Sequence, residues 1–192
     1  MTDRPITIAI IIGSNREGRR APLVAQWFGK HVHQRRDIEA DVIDLAEVQL
    51  PFSMPQSDDG ATAQFARRLS AADAFVVITP EYNHGYPAVL KNAIDSALTE
   101  WRAKPVGFVA YGGISGGLRA VEALRVVFGA LRAVTISETV SLHGVNRLFD
   151  DSGVLRDSSR TDRAAQALLD ELTWWARALR SARHEMPYPQ VA

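Results

Sequence analysis

DAFVVITPEYNHGYPAVLKNAIDSA, residues 73–97, decides how the rest of the chain is read. Its first seven residues, DAFVVIT (73–79), are apolar and rich in β-branched side chains, the composition of a buried strand. Pro87 suits the first turn of a helix, and Leu90, Ala93, Ile94 and Ala97 recur at helical spacing as its inner stripe. Between strand and helix stand Glu81, Tyr82, Asn83 and His84. A turn asks for Gly, Pro, Asn or Asp. It does not ask for a carboxylate, a phenol, an amide and an imidazole side by side, so this loop is expected to hold something.

The same strand–loop–helix unit repeats on both sides. ITIAIII (6–12) reads as a buried strand ending in Gly13-Ser14-Asn15, and a helix over 22–34 follows with Val24, Trp27, Phe28 and Val32 on one face. EADVIDL (39–45) is a second strand, LPFSMPQSDDG (50–60) a loop, and 61–71 a helix with Phe65 and Leu69 inward. PVGFVAY (105–111) is the fourth strand. GGISGG (112–117) leads from it into a helix with Val121, Leu124, Phe128 and Leu131 inward, and AVTIS (133–137) is a fifth strand. Asp150-Asp151-Ser152-Gly153 reads as a turn. Leu168, Leu172, Trp175 and Leu179 mark a last amphipathic helix, followed by a tail, MPYPQVA. Alternating strands and helices specify an α/β fold, a parallel sheet covered on both faces. Five strands suit a flavodoxin-like three-layer sandwich in the order 2-1-3-4-5, with residues 1–192 as one domain.

Bulk properties narrow the function. The formal net charge is zero, which argues against nucleic-acid or membrane binding through bulk charge. There is no cysteine, which removes disulfides, thiolate catalysis and thiolate metal sites. No HxxxH or HExxH pattern marks a zinc site. The first apolar run is too short to span a membrane, and no signal peptide is evident, so a cytoplasmic protein is expected.

In a parallel α/β sheet ligands bind beyond the carboxyl ends of the strands. The loops after strands 1, 3 and 4 converge there. In the first, GSNREGRR (13–20), Gly13 permits a tight turn and Ser14 and Asn15 offer donors. Free N–H groups at the helix start favour an anion, and Arg16 and Arg19 add charge, as a phosphate would require. The same residues also read as a helix cap with solvated arginines, and the loop matches neither a Walker A sequence nor GxGxxG. In the third-strand loop, backbone amides from Glu81 to His84, the Tyr82 ring and the Asn83 amide suit a flat heterocycle, with Pro80 and Pro87 stiffening the frame. A decorated turn is the alternative. In the fourth-strand loop, Gly112, Gly113, Gly116 and Gly117 let backbone approach a ring edge, or serve the turn alone.

All three loops resemble one family. GSNREGRRAPLVAQWF (13–28), TPEYNHGYPAVLKNAIDSA (79–97) and KPVGFVAYGGISGGLRAVEALR (104–125) are similar to the NADPH-dependent FMN reductases of the flavodoxin-like superfamily, relatives of bacterial quinone, azo-dye and chromate reductases. The resemblance implies one FMN per subunit, with NADPH or NADH as co-substrate and a small-molecule electron acceptor. It implies that Gly13, Ser14, Asn15, Arg16 and Arg19 serve the phosphate, and that Pro80, Glu81, Tyr82, Asn83 and His84 flank the isoalloxazine. Gly112, Gly113 and Ser115 would line its other edge. It also implies a homodimer or homotetramer with the LKNAIDSA helix at an interface. The chain departs from the family pattern where a serine often follows the arginine by three residues; Arg19 stands there, and Ala21 stands where Asn or Ser is common.

Two rival classes remain at this level. A non-enzymatic flavin carrier or regulatory protein is one, although carriers of this fold are acidic and this chain is neutral. A serine hydrolase is the other, since Gly113-Ile114-Ser115-Gly116-Gly117 matches G-x-S-x-G and Asp150 or Asp151, then His184, follow in hydrolase order.

Overall fold

A computed structural model describes residues 4–53 and 60–189. Five strands, β1 (Ile6–Ile12), β2 (Ile38–Asp44), β3 (Ala74–Pro80), β4 (Pro105–Gly112) and β5 (Val134–His143), form one sheet in the order β2-β1-β3-β4-β5. Every pairing in it is parallel. The expected strand order and class therefore hold. Parallel strands need crossovers, and among the described residues six helices lie between or after them: α1 (Ala21–His33), α2 (Gly60–Ala71), α3 (Ala88–Asp95), α4 (Leu118–Ala130), the short α5 (Val145–Leu148) and α6 (Ser159–Glu185). Most of the predicted 50–60 loop, residues 54–59, and the last three residues of the tail lie outside the described residues.

The apolar alternation explains which helix covers which face. Ile6, Ile8, Ile10 and Ile12 of β1 pack under α1 and α6 with Phe28, Leu168 and Leu172. Ala9 and Ile11 face the other way, into a second core formed with α2, α3 and α4. β3 is buried along its whole length, as a central strand covered on both faces must be. The second core is centred on Trp101, fully buried, with Phe75 at 4.6 Å and Phe128 at 5.4 Å between ring centroids. Its indole N–H donates to the carbonyls of Ala97 at 2.8 Å and Ile94 at 3.1 Å, so burial leaves no orphaned donor.

β5 is longer than the stretch 133–137 read from sequence. The pairing with β4 breaks register, with Val106 opposite Thr135 and Phe108 opposite Thr139. The extra residues are held from outside the sheet. The Glu171 carboxylate on α6 accepts from Ser137 N–H at 3.2 Å and Glu138 N–H at 2.7 Å. The Arg125 guanidinium on α4 donates to the Ile136 carbonyl at 2.6 Å. Beyond this bulge Val140 and Leu142 return to the core, and the strand runs on to His143. The turn at Asp150 forms as expected, its carboxylate accepting from the N–H groups of Ser152 and Val154.

Candidate functional site

The carboxyl ends of β1, β3, β4 and β5 lie along one edge of the sheet, and the loops that follow them are joined there by hydrogen bonds. The loop after β1 begins where Gly13 N–H donates to the Ile78 carbonyl at 2.8 Å. Past it, no acceptor among the described residues takes the backbone N–H groups of Ser14, Asn15, Arg16, Glu17 or Gly18. Five successive free amides just ahead of a helix N-terminus form a ready site for an anion. The Arg16 side chain is exposed and its guanidinium lies 5.9 Å from the centroid of the Tyr82 ring.

Two residues of this loop behave differently from the sequence expectation. Arg19 is a clamp rather than an open cation. Its guanidinium fork grips Asp44 at 2.5 and 2.7 Å and also donates to the Ser14 carbonyl at 2.6 Å. The Asp44 carboxylate raises the Arg19 pKa above its ordinary value, so the guanidinium stays charged. Ser14 is fully buried, and its hydroxyl sits 3.0 Å from the Tyr82 hydroxyl. Its side chain is therefore covered by Tyr82 and does not open to the crevice.

The loop after β3 is a two-residue hairpin turn. Tyr82 and Gly85 exchange backbone bonds of 2.8 and 2.9 Å, and Asn83 and His84 have φ of 49° and 68°. Left-handed backbone at both central positions is the type I′ geometry, and Asn and His tolerate it better than most residues. Both side chains are exposed. This corrects one expectation about the loop's amides. Glu81 N–H donates to the Tyr111 carbonyl at 3.2 Å and Tyr82 N–H to Gly85, so only the Asn83 and His84 amides remain free among the described residues.

Glu81 joins this loop to the next. Its carboxylate accepts from the Arg119 guanidinium at 2.6 Å and from Arg119 N–H, in the first turn of α4, at 3.1 Å. Burial opposes its ionisation. The Ser115 hydroxyl, the Arg119 guanidinium and the helix N–H outweigh burial and hold it below the usual carboxylate range. Glu81 is thus a strut between loops, with its carboxylate engaged.

The loop after β4 folds back against β5 through Gly116 and Gly117, with φ of 61° and 90°. A Cβ at Gly117 would stand 2.7 Å from the Ala110 Cβ, and one at Gly116 would collide with the Ser141 hydroxyl and the His143 ring. His143 was not singled out from sequence. Its Nδ1 lies 2.8 Å from the Ile114 carbonyl and its Nε2 3.1 Å from the Ser141 hydroxyl, so it pins this loop to the end of β5. Gly144 N–H donates to the Gly113 carbonyl at 2.9 Å and brings α5, with the exposed Arg147, to the same rim.

Tyr111 was also missed. It is the penultimate residue of β4, 4% exposed, and its hydroxyl has no hydrogen-bond partner among the described residues. Burial pushes its phenol well above the usual range; the neighbouring Tyr82 phenol adds to this and the Ser14 hydroxyl opposes it. A strand's last residues project into the crevice at the carboxyl edge of the sheet, which is the signal that marks it.

The hydrolase constellation does not assemble. Ser115 lies past the carboxyl end of β4 and interacts with Glu81. His184 follows Arg183, whose guanidinium donates to the Ala103 carbonyl at the opposite end of that strand. The Asp150 carboxylate is taken by its own turn.

A family model described as NADPH-dependent FMN reductase matches residues 6–147. An NAD(P)H-dependent FMN reductase of Schizosaccharomyces pombe is 37% identical over 138 residues, 65% of this chain and 66% of that protein, just under two thirds of its length. An FMN-dependent NADPH-azoreductase of Staphylococcus haemolyticus is 30% identical over 179 residues, 85% of this chain and 91% of that protein. Among solved structures, a flavoenzyme NAD(P)H:(acceptor) oxidoreductase of Paracoccus denitrificans superposes with a TM-score of 0.71 at 22% identity, covering 90% of this chain and 98% of that one. A flavodoxin of Pseudomonas aeruginosa superposes at 0.55 and 20% identity, covering 91% and 99%. At these identities the two structures speak to the fold.

Proposed function

The chain belongs to the NADPH-dependent FMN reductase family, an oxidoreductase family, and we propose that it carries electrons from NAD(P)H through bound FMN to a small acceptor. The acceptor class is a quinone, a free flavin, an azo compound or a metal oxyanion, taken in turn at one crevice by a ping-pong cycle. The observation that carries this reading is the row of free amides from Ser14 to Gly18, set beside a crevice walled by the β3 and β4 loops. Bound there, FMN supplies a two-electron carrier that the side chains themselves lack.

The residues present fit that group. The amides of the β1 loop and the Arg16 guanidinium hold the phosphate, with Gly13 setting the turn and Asn15 at its exposed edge. Arg19 keeps the loop in shape through Asp44. Pro80 to His84 flank the ring system, with Tyr82 and Asn83 nearest. Gly112, Gly113 and Ser115 line its other edge. The N–H groups of Asn83 and Gly113, free among the described residues, are fixed donors, which stabilise negative charge at the ring edge without reorganisation. The exposed Arg16, Arg119 and Arg147 ring the mouth and favour a phosphate-bearing co-substrate. Oligomeric assembly through α3, around LKNAIDSA, belongs to the same proposal.

Initial rates of NADPH oxidation, taken at several fixed quinone concentrations with FMN-loaded protein, test it. Parallel double-reciprocal lines are expected. Intersecting lines would remove the one-site cycle, and no turnover with any acceptor class would remove the reductase reading.

A further inference from the structure

A second polar pocket opens at the opposite end of the sheet. It has a volume of about 570 Å³ and is lined by Arg102, Lys104 and Arg183, together with Glu100 and Tyr188. Arg102 and Lys104 lie just ahead of β4, which begins at Pro105, and Arg183 lies in the last turn of α6. β4 has eight residues. At about 3.3 Å per residue, its length sets this pocket roughly 25 Å from the Gly112 loop. The two sites share no residue.

The chain as a whole is neutral, but this corner is not. Five cations, Arg4, Arg102, Lys104, Arg180 and Arg183, stand there with two carboxylates, Asp73 and Glu100. Both carboxylates are engaged. Asp73 is buried and accepts from Arg4 at 3.1 Å, from Arg180 at 3.2 Å and from Thr7 N–H at 3.1 Å. Arg183 is left 3.8 Å from it, beyond hydrogen-bond length. Glu100 turns to its own loop and accepts from Leu98 N–H at 3.0 Å and the Thr99 hydroxyl at 3.1 Å.

The three cations that line the pocket therefore rest on neutral groups or on none. The Lys104 ammonium, on a side chain buried with its residue, donates to the Leu69 and Ser70 carbonyls at 2.8 and 3.0 Å, and the Arg183 guanidinium donates to the Ala103 carbonyl. Among the described residues the Arg102 guanidinium has neither an ion pair nor a hydrogen bond. A carbonyl satisfies a donor but cancels no charge. Shielded like charges side by side are unfavourable without an anion between them. Burial first, then Arg183, lowers the Lys104 pKa to about 8, and Asp73 and Glu100 offset this only in part.

We propose that this pocket binds a phosphate-class dianion, as the free ion or as the phosphate group of a small molecule, through the Arg102 and Arg183 guanidiniums with the Lys104 charge in support. Guanidinium forks match phosphate oxygens, and three cations suit two negative charges better than one. The volume falls within the range of small-molecule sites, about 300–1,000 Å³. Tyr188 adds an aromatic wall for the body of a phosphate monoester. The proposal stands apart from the FMN reading, which concerns the other end of the sheet.

Isothermal titration calorimetry tests it, with FMN in excess to occupy the β1 loop and ionic strength held constant with chloride. Inorganic phosphate and glucose 6-phosphate are titrated separately into wild type, Arg102→Gln, Arg183→Gln and the double variant. Saturable binding of one anion per chain is expected. Arg102→Gln should weaken it roughly tenfold or more, as loss of a charge-assisted bond does, and the double variant should weaken it further. Arg102 makes no side-chain contact that the fold depends on, and far-UV circular dichroism checks that each variant is folded. Tighter binding of the ester assigns a phosphorylated small molecule; phosphate bound as tightly as the ester assigns the free ion. No saturable binding of either, or binding that survives in the double variant, would overturn the site. So would phosphate binding that is lost in Arg16→Ala and kept in Arg102→Gln, since the anion would then sit at the β1 loop.

Discussion

Replacing Arg19 with methionine separates loop support from ligand binding. The guanidinium makes three short contacts, to Asp44 at 2.5 and 2.7 Å and to the Ser14 carbonyl at 2.6 Å. Both partners of the ion pair are largely shielded, with side-chain exposures of 17% and 14%. Methionine keeps most of the aliphatic stem, so the packing term is small. What goes is the fork, and Asp44 is left partly buried with one backbone donor, Ala46 N–H at 3.0 Å. Removing one member of a shielded, hydrogen-bonded pair costs about 2–4 kcal/mol. With a urea m-value of about 2 kcal/mol/M, the unfolding midpoint of the cofactor-free protein should fall by about 1–2 M. The assay is equilibrium urea unfolding of cofactor-free wild type and variant, followed by far-UV circular dichroism. Arg16→Ala, run beside it, should leave the unfolding free energy within about 0.5 kcal/mol, as exposed substitutions usually do, and weaken FMN instead. An Arg19→Met protein as stable as wild type that loses FMN would refute the clamp and return Arg19 to the phosphate.

Two further changes probe the frame around the crevice. Gly117→Ala forces a Cβ into left-handed backbone and to within 2.7 Å of the Ala110 Cβ, so stability should drop by about 3 kcal/mol in urea unfolding. Lys104 is buried, its ammonium donating to the Leu69 and Ser70 carbonyls at the end of α2; burial, aided by Arg183, lowers its pKa to about 8. Between that value and the ordinary lysine pKa the unfolded chain binds the extra proton, so this group makes stability rise with pH. Urea unfolding from pH 7 to pH 10 should show the wild type gaining on Lys104→Met above about pH 8, the folded-state value. A constant difference would mean Lys104 titrates as an ordinary lysine.

The sheet was legible in the sequence because its strands are buried parallel strands, short runs of β-branched residues each ending in a turn. β5 was cut short because SETVSLH alternates with polar residues and its bulge depends on Glu171 and Arg125, carried by two different helices. The first loop was read as an anion site from glycine, small donors and arginine. The pairing of Arg19 with Asp44 was not read, although parallel pairing of β1 with β2 places Asp44 opposite Ile12, at the mouth of that loop. In TPEYNHGYP the turn residues and the expected ligand residues overlap. Asn83 and His84 are explained by left-handed backbone, Glu81 by its strut to Arg119, and Tyr82 by its hydroxyl contact with the buried Ser14. Tyr111 escaped notice because it sits at a strand end and reads as ordinary sheet, and His143 because it lies beyond the stretch read as the fifth strand.

The most direct measurement is the visible absorption spectrum of the purified protein after FMN is added and the excess removed by gel filtration. The account predicts retained flavin bands in stoichiometric amount, bleached by NADPH under anaerobic conditions and restored by an acceptor. A folded protein that elutes without flavin would contradict it.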